Sequence, residues 1–192
     1  MIMSKVASLK TRNLETTKEA ILLSSQEAFA SAPFESVRLR DIAKRANIDV
    51  VLVNRYYGSK KDLFQKVLDH TYENAKLFEG VDRRNLAEAL AVSPDVKKQP
   101  THKQRLLMIG AYSVTNPDVR QIIQESSIRY FVKPLIKIIG GAHAERKALL
   151  ITSLLFGYAL SSRLLFSEQF SKNPSTSAKV LRSMIQFVLD DA

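Results

Sequence analysis

The residues whose chemistry stands out lie between positions 54 and 60, around one glycine, and are Asn54, Arg55, Tyr56 and Lys60. An arginine binds guanine or a phosphate, an asparagine pairs with an adenine edge, and a tyrosine hydroxyl donates to a phosphate oxygen. Gly58 predicts a sharp turn before the next helix. The free N–H groups and positive dipole end of that helix, together with Lys60, would then face the same duplex backbone.

Two short helices joined by a tight turn would position these side chains. Residues 39–46 carry apolar residues at helical spacing, Asn47 tolerates the left-handed conformation of a turn, and Asp49 is a good N-cap for a helix over 50–57. This is the pattern of a helix-turn-helix over about 39–57. In that motif the second helix lies in the DNA major groove.

The outer surface of the second helix and the basic residues near it form the predicted DNA interface. Val53 and Tyr57 are four residues apart and are expected to face the core. A run of basic residues is usually a solvated face. Inside this motif we expect Arg38 to contact phosphate, while DNA contact and simple solvation both stay open for Arg40 and Lys44. The predicted DNA-binding residues are Arg38, Arg40, Lys44, Asp49, Val50, Val51, Leu52, Asn54, Arg55, Tyr56 and Lys60.

Composition narrows the classes of protein to consider. The 192 residues carry a formal net charge of +10, which favours a polyanionic partner, although charge alone also fits a basic protein without one. Cysteine is absent, so the chain has no disulfide, thiol nucleophile or cysteine metal site. The histidines lack metal-ligand spacing, and neither a glycine-rich phosphate loop nor a Ser/His/Asp signature occurs. We therefore expect no metal, no cofactor and no enzyme activity.

No segment predicts a signal peptide or a membrane span. The N-terminus has basic residues without an apolar core. The longest apolar run, 148–160, is shorter than the roughly 20 residues of a membrane helix. We expect no membrane partner and a cytoplasmic location.

The spacing of apolar residues and capping signals predicts an all-α fold. We interpret residues 1–14 as a flexible basic tail, 15–75 as a DNA-binding domain and 76–192 as a C-terminal domain. Thr16 starts a capping box for the first helix, and Pro33 stops that helix. The later predicted helices are 60–78, 83–92, 103–114, 118–139, 145–166 and 177–189, with a loop over 93–102 and a kink at Pro134.

Three segments, TTKEAILLSSQEAFA, RLRDIAKRANI and NRYYGSKKDLF, resemble the N-terminal DNA-binding domain of the tetracycline-repressor (TetR) family; they lie within residues 16–64. The resemblance implies an all-α homodimer. Each subunit would have three N-terminal DNA-binding helices and a larger helical domain that senses a small molecule and dimerises. The departures from the family pattern are Arg38, Asn47, Val50 and Asn54. They predict a more apolar DNA-facing surface, with contacts to thymine methyl groups from Val50 or Leu52.

Two sets of residues in the C-terminal domain are predicted to act in dimerisation and ligand binding. The last two helices are expected to pair with their copies, through Leu150, Leu154, Gly157, Tyr158, Ser161, Leu165, Leu181, Met184, Ile185 and Val188. The alternative is that these helices pack only within their own subunit. Aromatic and polar residues suited to a small-molecule site are Met108, Tyr112, Arg129, Tyr130, Phe131 and Phe156. Each of these could instead be ordinary core.

The sequence thus predicts a homodimeric, ligand-responsive transcriptional regulator. We expect it to act as a repressor on a palindromic double-stranded DNA operator and to be released by an unknown small-molecule effector. An architectural DNA-binding protein that senses nothing is the alternative. A ligand-binding enzyme descended from the same scaffold is a third reading. Sequence-selective binding that weakens with a small molecule would favour the regulator.

Overall fold

The structure is a computed structural model that describes residues 2–91 and 100–190, with the backbone alone at residues 2–13 and 164. Within these ranges the chain forms helices and connecting turns without a strand, which confirms the predicted all-α fold. The α-helices are α1 (Ile2–Phe29), α2 (Leu39–Arg45), α3 (Val50–Tyr57), α4 (Lys60–Ala75), α5 (Leu86–Leu90), α6 (His102–Ser113), α7 (Pro117–Ser127), α8 (Lys133–Ile139), α9 (Ala144–Leu160), α10 (Ser167–Lys172) and α11 (Pro174–Asp190).

The first helix begins much earlier than its capping pattern predicts. It runs from Ile2, so residues 2–14, expected as a flexible tail, continue the helix instead. That segment contains neither proline nor glycine, and no residue in it stops a helix that has already formed. The helix ends at Phe29, four residues before Pro33.

An aromatic cluster forms the centre of the N-terminal part. The rings of Phe29 and Phe64 meet edge to face with centroids 4.9 Å apart, and the ring of Phe34 lies 5.9 and 5.3 Å from them. Burial of such rings is a large part of the stability of a small core. The same cluster continues into Ile109 of α6 and Val119 of α7. Helices α1 to α4 therefore share their core with the C-terminal part.

A second buried cluster joins α5, α8, α9 and α11, and it includes Leu86, Leu135, Ile151 and Ile185. Two cations bind carbonyl groups at the ends of these helices. Arg83 donates to the carbonyl of Ile139 at 2.7 Å, and the buried Lys147 donates to the carbonyl of Leu189 at 2.8 Å. Cations at helix C-termini satisfy carbonyls that lack an intrahelical partner.

Two predicted long helices each contain a wider π-helical turn. The predicted helix 118–139 is α7, a π-helical turn at Ile128–Val132 and then α8, with Pro134 in the first turn of α8. Proline has no N–H and crowds the preceding turn, so a wide turn in front of it relieves both problems. The predicted helix 145–166 likewise ends in a π-helical turn, Ser161–Leu165.

The remaining boundaries differ modestly from the predicted ones. The helix expected at 83–92 is the short α5, Leu86–Leu90, and most of the loop expected at 93–102 lies outside the described residues. Thr101 and Gln104 form a capping box that starts α6. The short helix α10 was not predicted.

Candidate nucleic-acid interface

Helix α2 and the turn after it form the support of the interface. Ile42 and Ala43 of α2 are buried against the N-terminal core. Asn47 has a φ of 55°, the left-handed conformation that asparagine tolerates. The N–H of Ile48 then donates to the carbonyl of Ala43 at 3.0 Å, which closes the turn.

Helix α3 is fixed at its start, on its inner side and at its end. The carboxylate of Asp49 accepts from the N–H of Val51 at 2.8 Å, so this predicted DNA-binding residue serves as an N-cap. Val53 is fully buried. The hydroxyl of Tyr57 donates to the carbonyl of Lys18 in α1 at 2.9 Å, and burial raises the pKa of Tyr57 to about 12. Helix α3 is thereby held against α1.

The outer side of α3 is mixed apolar and polar. Val51 is 65% exposed, and Asn54 and Arg55 are exposed beside it. The amide of Asn54 donates to the carbonyl of Val50 at a long 3.4 Å, within its own helix. The remaining predicted contacts of this helix are only partly exposed, and they are Val50, Leu52 and Tyr56. These positions combine groups for base edges with methyl groups for thymine.

The turn after α3 depends on a glycine and a capping box. Gly58 has a φ of 74°. Asp62 accepts from the N–H of Ser59 at 2.9 Å and from its hydroxyl at 2.6 Å, and these hydrogen bonds hold the pKa of the Asp62 carboxyl below its usual value. An added Cβ at Gly58 would lie 2.9 Å from Oδ2 of Asp62. Glycine is therefore required both by the backbone angle and by the room that the capping box leaves.

Lys60 makes contacts with the protein that the sequence did not suggest. Its ammonium lies 4.4 Å from the ring centroid of Phe34 and 3.4 Å from the carbonyl oxygen of Glu35. Burial lowers the pKa of Lys60, and the Glu35 carboxylate partly opposes that effect. The next residue, Lys61, is exposed in the first turn of α4, and it is a phosphate-binding candidate outside the predicted set.

The basic residues of α2 lie on the outside of the protein. Arg38 is at the N-cap position of α2 but makes no side-chain cap. Arg38, Arg40 and Lys44 are all exposed. Arg45 lies 3.7 Å from the carboxylate of Glu27, which is a loose surface pair. The placement of these cations is compatible with both readings left open by the sequence.

A small cavity lies between α4, α6, the π-helical turn after α7, and α9. Its apolar lining is Leu77, Leu90, Leu106, Leu107, Phe131, Leu155 and Phe156. Its polar lining is Tyr72, Lys103, Ser127 and Thr152. The volume is about 50 Å³, well below the roughly 300–1,000 Å³ of small-molecule sites.

The structure divides the residues predicted for this pocket. Phe131 and Phe156 line the cavity, and Tyr130 stacks on the lining residue Tyr72 with centroids 5.1 Å apart. The other three, Met108, Tyr112 and Arg129, do not line it. Met108 lies instead in a polar surface groove that Arg45 and Arg105 also line, and Arg129 is exposed. Sequence spacing alone could not decide which side of each helix faces the cavity.

The ring of Phe156 closes tightly on α6. An added Cβ at Gly110 would lie 2.7 Å from Cε1 of Phe156. A side chain at position 110 would therefore force the ring to move. Helices α6 and α9 approach each other through this contact, beside the cavity.

The residues predicted for the dimer interface fall into exposed and buried groups. Leu150, Gly157, Leu165 and Met184 are exposed, whereas Leu154, Tyr158, Ser161 and Val188 are partly exposed. Leu181 and Ile185 are 2% and 0% exposed in the single chain. These two residues therefore belong to the core of their own subunit, and their prediction as contact residues is corrected.

Two exposed apolar residues of α11 are not among the predicted contact residues. Val180 and Phe187 are 54% and 66% exposed, and they lie on the same side of α11 as Met184 because the spacings are four and three residues. The signal was present as a second apolar stripe beside the buried one. We call the surface formed by Leu154, Val180, Met184 and Phe187 the apolar face.

The described residues contain neither a candidate metal site nor a candidate membrane span. They contain no group of His, Asp and Glu side chains arranged to hold a metal ion. None of the helices in the described ranges combines the length and hydropathy that a bilayer crossing requires.

Comparison with known families gives two matches along the chain. Residues 21–67 match the sequence model of bacterial regulatory proteins of the tetR family, and residues 86–188 match that of the tetracyclin repressor-like C-terminal domain. A comparison with curated proteins finds no match.

Solved structures with the same fold are distant in sequence. A Rhodococcus protein described as a TetR-family transcriptional regulator is 16% identical, with 91% of this chain and 99% of that chain covered and a TM-score of 0.73. NalD is the secondary repressor of the MexAB-OprM multidrug efflux pump of Pseudomonas aeruginosa. It is 18% identical, with 90% of this chain and 95% of that chain covered and a TM-score of 0.63. A regulator from Saccharomonospora viridis in complex with choline is 16% identical, with 90% of this chain and 95% of that chain covered and a TM-score of 0.61.

Proposed function

This chain belongs to the TetR family of bacterial regulatory proteins, and we propose that it is a repressor that binds a palindromic operator as a homodimer and is released by a small molecule. Members of this family are transcriptional regulators rather than enzymes. Since its target is bacterial DNA, the proposed site of action is the cytoplasm.

The observation that carries the DNA-binding part of the proposal is the exposed side of α3. Val51, Asn54 and Arg55 are exposed together, while Val53 on the opposite side is fully buried. A helix anchored from behind in this way fits a major groove and presents its outer residues to base edges. The exposed basic residues of α2 add cations for phosphates on either side of the groove.

The homodimer is supported by the apolar face. Phe187 is 66% exposed and Val180 is 54% exposed in the single chain, and large exposed apolar surfaces mark interaction sites. A two-fold pair of chains would place two copies of α3 on successive turns of a duplex, so the operator would be a palindrome.

Release by a small molecule is supported by the cavity between α4, α6 and α9. Because its volume is only about 50 Å³, a ligand must displace a lining side chain, and α6 and α9 would separate at the contact between Gly110 and Phe156. The structural relative that holds choline and the relative that acts as a repressor support this part by analogy of fold. A ligand that binds only the widened state shifts the population away from the DNA-binding state.

The proposal is tested by selecting bound sequences from random duplexes with the purified protein. A palindromic consensus is expected, and light scattering should give twice the chain mass of 21.6 kDa. Equal binding to all duplexes, with no consensus, would favour the architectural alternative. A species of 21.6 kDa that binds the operator as a monomer would contradict the proposed homodimer.

A further inference from the structure

Lys103 is the one cationic residue among the described residues that line the cavity, and no lining residue there is acidic. Its ammonium is partly buried and donates to the carbonyl of Ala89 at 3.0 Å. An ammonium has three N–H donors, so two remain for another acceptor. Among the described residues no carboxylate forms an ion pair with it.

The rest of the cavity is apolar or already hydrogen-bonded. Seven leucine and phenylalanine side chains form the walls of the cavity. The hydroxyl groups of Tyr72 and Ser127 lie 3.2 Å apart and bond to each other, and Thr152 donates to the carbonyl of Ala148 at 2.7 Å. The ammonium of Lys103 is therefore the main group in the cavity that can still donate hydrogen bonds to a ligand.

We propose that the effector is an organic acid with an apolar body, an aliphatic or aromatic monocarboxylate whose carboxylate binds Lys103. This inference rests on the proposed function, since it names the chemical class of the ligand that the C-terminal cavity takes. A carboxylate would meet the ammonium in a partly desolvated setting, where a charge-assisted hydrogen bond is stronger than in water. A cationic ligand would meet a like charge there, and a neutral ligand would leave the ammonium without a counter-ion.

Burial supports this assignment, because it lowers the pKa of Lys103. The ammonium is thus less favourable in the empty protein than in water, and an anion beside it would reverse that effect. The bond from Lys103 to Ala89 ties α6 to the end of α5, and the two remaining N–H groups can donate to an acid while that bond stays in place.

The cavity is too small for such a ligand unless the Phe156 side chain moves. A cavity of about 150 Å³ is enough for benzene, which is about three times the 50 Å³ present. The Phe156 ring lines the cavity and rests against Gly110. Phe156→Leu should therefore raise the affinity for acids with bulky bodies without changing the preference for acid over amide.

The test measures binding of octanoate and benzoate to the full chain by calorimetry, at about pH 7, where carboxylates are ionised. Octanamide and benzamide are the neutral probes, and octyltrimethylammonium is the cationic probe. The acids are expected to bind roughly tenfold or more tightly than the matched amides, as for a hydrogen bond between charged partners. The cation should bind most weakly.

Lys103→Met keeps the aliphatic stem and removes the charge, so the ratio of acid to amide affinity should fall to about one. Lys103→Gln is the second variant, because an amide can still donate to Ala89 if loss of that bond unfolds the first. Lys133→Met removes the same charge from an exposed position of α8 and should keep the wild-type ratio.

Three results would overturn the inference: equal binding of acid and amide to the wild type, a preference for acid that survives in both Lys103 variants, or no binding of either acid at millimolar concentration. Operator binding is measured in the same samples without probe. Normal operator binding with no preference for acid would contradict only the proposed ligand class. Absent operator binding would contradict the proposed function.

Discussion

At the scale of single residues, Arg55 is expected to contribute most to operator discrimination. It is exposed on α3, and arginine can bind two acceptors of one guanine. We predict that Arg55→Ala lowers the discrimination between the selected operator and a scrambled duplex by roughly 1–3 kcal/mol. Fluorescence anisotropy titrations with the two duplexes measure it.

The control for that variant is Arg146→Ala, which removes an exposed arginine from α9. Both variants lose one positive charge, so the net charge of the two proteins is matched. If Arg146→Ala reduces discrimination as much as Arg55→Ala does, Arg55 makes no base contact.

Tyr57 gives a prediction about pH. Burial raises its pKa in the folded protein to about 12, above the value of about 10 for an exposed tyrosine. The folded state therefore favours the neutral phenol. Its contribution to stability is complete below about pH 10 and is lost as pH rises through about 12. In Tyr57→Phe the urea midpoint should fall less between about pH 9 and about pH 11 than it does in the wild type.

Phenylalanine at 57 keeps the ring and removes only the hydroxyl that donates to Lys18. Tyr158 also has a pKa raised to about 12 by burial, so Tyr57→Phe should reduce the alkaline loss and not abolish it. Identical pH profiles for the two proteins would show that Tyr57 ionises freely in the folded state.

Residue types showed which groups could bind DNA, but they did not show what each group already binds. The sequence predicts that Lys60 faces phosphate, and its contact with the Phe34 ring depends on a residue 26 positions earlier. The exposure of Asn54 and Arg55 followed from helical spacing alone. Leu181 and Ile185 are apolar residues at helical spacing too, and only the packing of α11 on its neighbours shows that they are core.

At the scale of elements, the turn between α3 and α4 should be intolerant of any side chain at position 58. Gly58→Ala would meet both the positive φ and the carboxylate of Asp62 at 2.9 Å. Gly80 also has a positive φ, 67°, but has open space around it. We predict that Gly80→Ala costs about 1–2 kcal/mol for the backbone conformation alone. Gly58→Ala should cost about 0.5–2 kcal/mol more, because the Asp62 carboxylate would have to leave its capping box.

Urea unfolding at one pH measures both glycine variants, with the free energy of unfolding extrapolated to water. Equal losses for the two would mean that the Asp62 side chain moves aside without penalty. Gly58→Ala should also weaken operator binding, because the turn sets the direction of α4 after α3.

Caps and turns were predictable because their signals are local. Asp49, Ser59 with Asp62, and Asn47 act as the sequence indicates. The start of α1 was not predictable, since residues 2–14 contain no signal that prevents a helix and the pattern at Thr16 occurs inside one. The π-helical turn before Pro134 could be anticipated as a kink but not as a wider turn.

At the scale of the whole molecule, the apolar face should decide the oligomeric state. Phe187 is 66% exposed and lies at the C-terminal end of the stripe that Val180, Met184 and Phe187 form on α11. We predict that Phe187→Glu yields a species of 21.6 kDa by light scattering, because a carboxylate in an apolar interface is costly. Operator affinity should fall roughly 100-fold or more, since the two DNA-binding units no longer act as one.

Val114→Glu is the matched control, because Val114 is also an exposed apolar residue, at 39%, but lies at the end of α6. It should remain twice 21.6 kDa in mass and keep its operator affinity. A Phe187→Glu protein that keeps the doubled mass would place the interface elsewhere.

The Ile109 and Val119 side chains complete the aromatic cluster of the N-terminal part, so the predicted DNA-binding domain, residues 15–75, shares its core with α6 and α7. A polypeptide that stops after α4 would expose the seam where α4 packs on α6 and α7. Grafting only those residues onto the sensor half of a relative should therefore give a chimera that melts earlier than either parent. Engineers who wish to exchange operator specificity would do better to transplant the outer residues of α3 alone.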